Sequence, residues 1–252
     1  MPPDQVPTGH VERWRRAAWS SVWATAPRLG AVLRVLVVDD DPMVRTLFGI
    51  ILGASDDIEV VGEATDGDEV VTAVQAHHPD VVVMDLKMPR MGGIAATRAL
   101  RALPNPPGVI AVTAFDTPAL ILEAVEAGVD GFLAKDASGD EITAAVRDVV
   151  AGEAALSARA QRIVLEQIHA DRSGNLQRTA REQLSPLTEK ELEIAEAVAE
   201  GLTNAEIAAR SYVSEATVKT HLGRAMTKLG LENRVQLALV VDRARLGERP
   251  AG

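Results

Sequence analysis

The order of residues predicts two domains. The first is a doubly wound α/β domain on a five-stranded parallel sheet; the second is a small all-α helix-turn-helix domain. Three observations carry this. Between residues 34 and 153, five short apolar runs alternate with five stretches of helical pattern. Such alternation implies parallel strands joined by crossover helices and covered on both faces. Between residues 187 and 229, three short amphipathic stretches follow one another, each opened by a cap residue. The 252-residue length suffices for two modest domains.

Taken in order, residues 1–33 come first. Arg13-Trp14-Arg15-Arg16 followed by an apolar stretch has some look of an export signal, but Ser20, Ser21 and Thr25 interrupt it. The segment is read as a disordered leader or an over-extended start, with Val32 as the expected true beginning. The strand runs are 34–38, 58–61, 81–84, 109–112 and 131–134, nearly continuous in Val and Ile, as doubly buried strands should be. Helices are expected near 42–53, 67–77, 92–102, 118–127 and 139–151. Pro42 suits a first helical turn, where its missing N–H has no partner to lose. Ser138 with Glu141 reads as a capping box opening the fifth helix.

Residues 154–184 form a polar connector, partly helical, with an amphipathic candidate from Leu156 to Ile168 and a turn-like Asp171-Arg172-Ser173-Gly174-Asn175. The second domain spans 185–246, and 247–252 are a tail. Thr188 and Glu191 form a capping box, and Gly201 stops that helix. Thr203 and Glu206 form another box before a short helix, and Ser214 caps the third helix. On that helix Val218, Leu222, Ala225 and Leu229 share one face and form core. Lys219, Thr220, Gly223, Arg224 and Thr227 lie on the opposite arc. A small, basic outward face suits a helix entering the major groove. A last helix, 233–246, is expected to expose Val235, Leu239 and Val240 as a surface pairing two copies.

Composition excludes some classes. No cysteine means no disulfide and no thiolate zinc site, which fits a cytoplasmic protein. No run approaches the ~18 apolar residues of a membrane span. The net charge of −10 is unevenly placed: residues 34–153 carry 8 Lys and Arg against 21 Asp and Glu, while 185–252 carry 9 against 10. The near-neutral domain can therefore bind DNA if its cations share a face.

Active groups in parallel α/β sheets gather beyond the carboxyl ends of the strands. Asp39, Asp40, Asp85, Thr113 and Lys135 all fall there. Transfer of a phosphoryl group to a carboxylate needs a nucleophile, a divalent cation and fixed donors for the remaining oxygens. Asp85 is the natural nucleophile. Asp39 and Asp40 suit Mg²⁺, a hard cation that prefers oxygen ligands. Thr113 offers a hydroxyl and Lys135 an ammonium. Asp41 is read as a solvated loop residue.

The strings Val37-Val38-Asp39-Asp40-Asp41-Pro42, Met84-Asp85-Leu86-Lys87-Met88-Pro89-Arg90-Met91-Gly92-Gly93, Val112-Thr113-Ala114 and Gly131-Phe132-Leu133-Ala134-Lys135 resemble a response-regulator receiver domain of flavodoxin-like fold. The resemblance implies Asp85 as phosphoacceptor. It implies Mg²⁺ on Asp39, Asp40, Asp85 and the backbone carbonyl of Lys87. Thr113 and Phe132 become the switch pair, the ring moving inward after the hydroxyl. Asp41 stands where relatives commonly carry His, which adds negative charge near the metal.

The strings Leu187-Thr188-x-Lys190-Glu191, Gly201-Leu202-Thr203-Asn204-x-Glu206-Ile207-Ala208 and Thr217-Val218-Lys219-x-His221 through Thr227-Lys228-Leu229-Gly230 resemble a LuxR-type helix-turn-helix. The whole is similar to the NarL/FixJ family of response regulators. That likeness implies base contacts from Lys219 and Thr220, and phosphate contacts from Ser214, Thr217 and Arg234. Arg224 and Lys228 complete the DNA-binding candidates, Arg224 standing in for the basic residue that Gly223 replaces.

The implied partners are a sensor histidine kinase, a double-stranded operator, a second copy of the chain on activation, and RNA polymerase. The implied enzymology stops at the chain's own phosphotransfer and dephosphorylation. A DNA-binding regulator whose receiver ignores phosphate is the alternative. A remote third reading takes Asp39-Asp40-Asp41 as the Asp-x-Asp of haloacid-dehalogenase-type phosphatases. Met43 occupies the position where those carry Thr or Val.

Overall fold

The computed structural model describes residues 32–114, 117–170 and 174–245. Residues 1–31 of the expected leader, the whole of the expected tail and residues 171–173 of the expected turn lie outside them. Leu33, placed in the leader by the sequence, opens the first strand.

Six parallel strands form one sheet in the order β2-β1-β3-β4-β5-β6. They are β1 Leu33–Val38, β2 Ile58–Ala64, β3 Val81–Asp85, β4 Gly108–Thr113, β5 Gly131–Ala134 and β6 Ala155–Leu156. Side chains alternate across the sheet, and both faces are buried. Val35, Val37, Val81, Val83, Ile110 and Val112 pack with Phe48 and Leu52 of α1 (Pro42–Gly53) and Ile142 and Val146 of α5 (Gly139–Ala151). Leu36, Val38, Val82, Met84, Val109 and Ala111 pack on the other face. Their partners there come from α2 (Val70–His77), α3 (Gly93–Arg101) and α4 (Pro118–Ala127). A continuous Val/Ile run is the pattern this two-sided burial demands.

The sheet has one strand more than the five expected. Two residues of β6 make no apolar run; Ala155 and Leu156 are held by pairing with Gly131 and Phe132. Ser157 continues the ladder, donating its N–H to the Phe132 carbonyl at 3.0 Å. The helix expected near 67–77 is split into a 3-10 turn, Gly67–Glu69, and α2.

The connector is more ordered than a polar tether. It carries β6, then α6 (Ala158–Ala170) and α7 (Gly174–Leu184). Ala160, Ile163 and Val164 of α6 join the receiver-side core beside Phe132. From α7, Arg181 donates to the Ala244 carbonyl at 3.1 Å, tying the helix to the last element.

The second domain comprises α8 (Glu189–Ala199), α9 (Asn204–Ser211), α10 (Glu215–Leu229) and α11 (Arg234–Arg245) around Ile194, Val198, Ile207, Val218, Leu222, Leu237 and Val241. The capping boxes at Ser138, Thr188 and Thr203 all form. Ser214 accepts the Thr217 N–H at the start of α10. Each satisfies N–H groups that a helix start otherwise leaves unpaired.

Candidate functional site

The parallel sheet brings Asp39, Asp85, Thr113 and Lys135 to one end, because each follows or ends a strand of the same direction. Asp39, Asp85 and Thr113 are buried, at 2%, 5% and 1% exposure, whereas Asp40 is exposed. One carboxylate oxygen from each of Asp39, Asp40 and Asp85 fits within a 4.8 Å cluster. Lys135 Nζ reaches Asp39 Oδ2 at 2.6 Å and Asp85 Oδ2 at 3.1 Å. Its backbone N–H is held by the Thr113 carbonyl at 2.9 Å.

Asp85 Oδ1 is buried without a hydrogen-bond partner among the described residues. A carboxylate left so is costly unless something else takes up its charge. Burial pushes the Asp85 carboxyl above the ordinary carboxylate range, against the pull of Lys135 and the Lys87 amide, and the Asp39 charge adds to the rise. Burial pulls Lys135 down, but its bonds to Asp39 and Asp85 outweigh that and hold it above its usual value. Three convergent carboxylates, one with an orphaned oxygen, fit a hard divalent cation.

Asp41 is turned to another task. Its Oδ1 accepts the Met43 N–H at 2.8 Å and caps α1, while its own N–H donates to Asp39 Oδ1 at 3.0 Å. It therefore orients Asp39 and does not join the cluster. Arg45, which nothing in the sequence marked, holds the same loop: its guanidinium donates to the Asp39 carbonyl at 2.8 Å and to Glu63 at 2.9 Å. Phe132 is 1% exposed, packed with the α4 and α6 core. Its ring is thus already buried in this conformation.

The helix-turn-helix candidates divide. Ser214, Thr220 and Arg224 are exposed, and Lys219 and Thr217 are half-buried. Thr220 donates its hydroxyl back to the Ala216 carbonyl, and Ser214 and Thr217 pair with each other. Lys228 Nζ sits 2.6 Å from Glu191, the buried acid of the Thr188 capping box. Its ammonium is thus engaged within the domain. Arg234 is also engaged: its guanidinium pairs with Glu153 of the first domain and donates to the Gly152 carbonyl at 3.1 Å and the Leu202 carbonyl at 2.8 Å. Burial lowers its pKa, Glu153 opposing. In this arrangement both cations are paired within the chain, Arg234 largely buried and Lys228 exposed.

That pairing belongs to a wider interface at the end of the sheet opposite the acidic cluster. Glu153 also accepts the Asn204 N–H at 2.7 Å, and Asn204 donates to the Ala151 carbonyl at 3.1 Å. Asn233, just before α11, and Gln236 within it donate to the carbonyls of Val129 and Val125, at 2.8 and 3.1 Å. A cleft of about 480 Å³ separates the domains, with Lys219, Gly223 and Met226 of α10 on one wall and Asn105, Pro106 and Pro107 on the other. The expected pairing surface on α11 is not exposed either. Val235 and Val240 are 5% and 7% exposed, and Val235 and Leu239 pack into the first domain's core.

A family model described as the response regulator receiver domain matches residues 35–147, and one described as bacterial regulatory proteins, luxR family, matches residues 185–241. The transcriptional regulatory protein YxjL of Bacillus subtilis is 38% identical over 213 residues, covering 84% of this chain and 95% of that protein. The transcriptional regulatory protein LiaR of the same organism is 36% identical, covering 85% and 99%. Among solved structures, a LuxR-family two-component response regulator from an Aurantimonas species is 32% identical with a TM-score of 0.51, covering 55% of this chain and 99% of that one.

Proposed function

The chain belongs to the response regulators that join a receiver domain to a LuxR-type DNA-binding domain, and from that premise we propose which residues carry its signal. Asp85 is the phosphoacceptor. Its orphaned Oδ1, buried beside two further carboxylates and a lysine, is the observation that carries this reading.

A kinase phosphohistidine supplies the phosphoryl group: an Asp85 carboxylate oxygen forms the P–O bond as the P–N bond to histidine breaks. Asp39, Asp40, Asp85 and the Lys87 carbonyl would hold Mg²⁺. That cation would offset the charge gathering on the phosphoryl oxygens. Lys135 is already 3.1 Å from Asp85 and exchanges a carboxylate for a phosphoryl oxygen. Thr113, ending the adjacent strand, offers its hydroxyl to another oxygen. The chain's chemistry ends with its own phosphorylation and hydrolysis.

The reader acts by binding operator DNA through Lys219, Thr220 and Arg224, with Ser214 and Thr217 on the backbone. Arg234 joins them only when the domains part. The closed arrangement is the resting state, and phosphorylation favours separation because the two states bind the reader differently. Dimers on two half-sites follow from the exposure of α11.

Intact mass before and after acetyl phosphate with Mg²⁺ tests the core of this. Wild type should gain one phosphoryl group and Asp85→Asn none. Equal labelling of both would move the nucleophile elsewhere. No labelling of folded wild type would favour a regulator whose receiver ignores phosphate.

A further inference from the structure

Asp66 lies outside the acidic cluster, in the turn after β2, yet its residue is only 3% exposed. Both oxygens are used. Oδ2 accepts the Arg90 N–H at 2.9 Å and Oδ1 accepts the Met91 N–H at 2.7 Å. Next to it, the Gly67 N–H donates to the Met91 carbonyl at 3.2 Å. The approach is so close that a β-carbon at Gly67 would stand 2.3 Å from that oxygen. Arg90 closes the clip from outside, its guanidinium 3.6 Å from Asp66, 2.8 Å from Asp68 and 2.6 Å from Glu69.

The segment so clipped is the loop that runs from Asp85 to α3. Its near end is tied by the Gly93 N–H to the Leu86 carbonyl at 3.0 Å. Lys87 follows Leu86 directly, between that tie and the clipped Arg90 and Met91. A loop carbonyl serves as a ligand only if its position is settled beforehand; otherwise binding must bear the cost of ordering it. Of the pocket's own carboxylates, Asp85 acts on this backbone at the Lys87 amide; the Arg90–Met91 end of the loop is held by Asp66.

We propose that Asp66 is a positioning residue for the phosphoacceptor site, fixing the 86–92 loop so that the Lys87 carbonyl is set for a divalent cation. The inference rests on the phosphoacceptor reading above. Only a carboxylate can do this work at Asp66, since it offers acceptors to two successive N–H groups. An amide of the same shape turns an N–H₂ toward one of them and leaves it buried without a partner. Arg90 contributes less, being 54% exposed and screened.

The experiment compares wild type, Asp66→Asn, Gly67→Ala and Arg90→Ala by calorimetric Mg²⁺ titration and by amide hydrogen exchange of the metal-free proteins. Asp66→Asn should bind Mg²⁺ at least tenfold more weakly. The amides of Arg90 and Met91 should exchange faster while those of Val82 and Val83 keep their protection. Labelling by acetyl phosphate should recover when Mg²⁺ is raised. Gly67→Ala, which presses on the Met91 carbonyl and leaves Asp66 in place, should weaken Mg²⁺ in the same direction, and Arg90→Ala should stay within about twofold.

Wild-type Mg²⁺ affinity in Asp66→Asn despite freed Arg90 and Met91 amides would overturn the proposal. So would protection lost equally in β3, which would make Asp66 a general fold residue. Wild type that binds no Mg²⁺ would overturn the phosphoacceptor reading itself, an outcome separate from these.

Discussion

Replacing Glu153 by Gln removes the charge that faces Arg234 across the domain boundary. The side chains of Arg234 and Glu153 are 10% and 19% exposed, so the pair is mostly shielded from water. Breaking a fully buried pair costs about 3–5 kcal/mol, because one charge stays buried alone. The cost here is smaller: the guanidinium keeps the Gly152 and Leu202 carbonyls, and Gln retains an acceptor for the Asn204 N–H. About 2–3 kcal/mol is a fair figure. That cost falls on the closed state alone, since Arg234 is solvated once the domains part. The closed-to-open ratio should therefore drop roughly 30- to 150-fold. Unphosphorylated Glu153→Gln should bind DNA more tightly by up to that factor, until the open state is no longer the minority. The assay is fluorescence anisotropy on a duplex selected with phosphorylated wild type, with and without acetyl phosphate. Phosphorylation should add much less to the variant than to wild type. A variant that binds no better than wild type when unphosphorylated, and is stimulated just as strongly, would refute the latch.

Three further outcomes are expected. Asp85→Asn should unfold at a higher temperature than wild type in the absence of metal. A raised carboxyl pKa contributes stability only below the unfolded-state value and loses it as pH rises through the folded one, so the gain should be largest at neutral pH and vanish on acidification. Lys219→Ala should cost about 1–3 kcal/mol on the selected duplex and less on random DNA, if it makes a base contact; equal losses on both would make it a phosphate contact. Lys228→Ala should lower reader stability by about 1 kcal/mol, since the lysine is over a third exposed and its pair with Glu191 partly screened. It should leave the salt dependence of DNA binding unchanged; a slope reduced by about one would return Lys228 to the phosphate contacts.

The strands and the pocket were legible because one rule serves both. A Val/Ile run stops where the sheet ends, and the next residue must face the open edge. Thus Asp39 and Lys135 were placed by where apolar character ceases. The capping boxes at Ser138, Thr188 and Thr203 were legible because their partners lie three residues apart. What stayed hidden depends on distant partners. Ala155 and Leu156 become a strand only because Gly131 and Phe132 offer an edge. Arg234 meets Glu153 across 81 positions, and Lys228 meets Glu191 across 37. A cation's sequence neighbours do not reveal whether its charge is already engaged. Arg45 was invisible for the same reason, since its work is done on backbone carbonyls.

The covered face of α11 joins two events that the sequence presents as separate. Val235 and Leu239 are packed against the receiver core, and Asn233 and Gln236 hold the carbonyls at the C-terminal end of α4 and just beyond it. α4 is the first helix after Thr113, so a shift of the Thr113 hydroxyl toward a phosphoryl group would pass along the chain into that helix. The same helix is held at its far end by the reader. Movement of α4 would loosen α11 and the recognition helix together, because both are docked on one rigid domain. Neither the DNA face nor the α11 surface can then be released alone. It follows that Glu153→Gln, made to free Arg234, should also raise the dimer fraction at a given concentration in sedimentation equilibrium. A variant that gained DNA affinity and stayed as monomeric as wild type would separate the two surfaces and place dimerisation on another face.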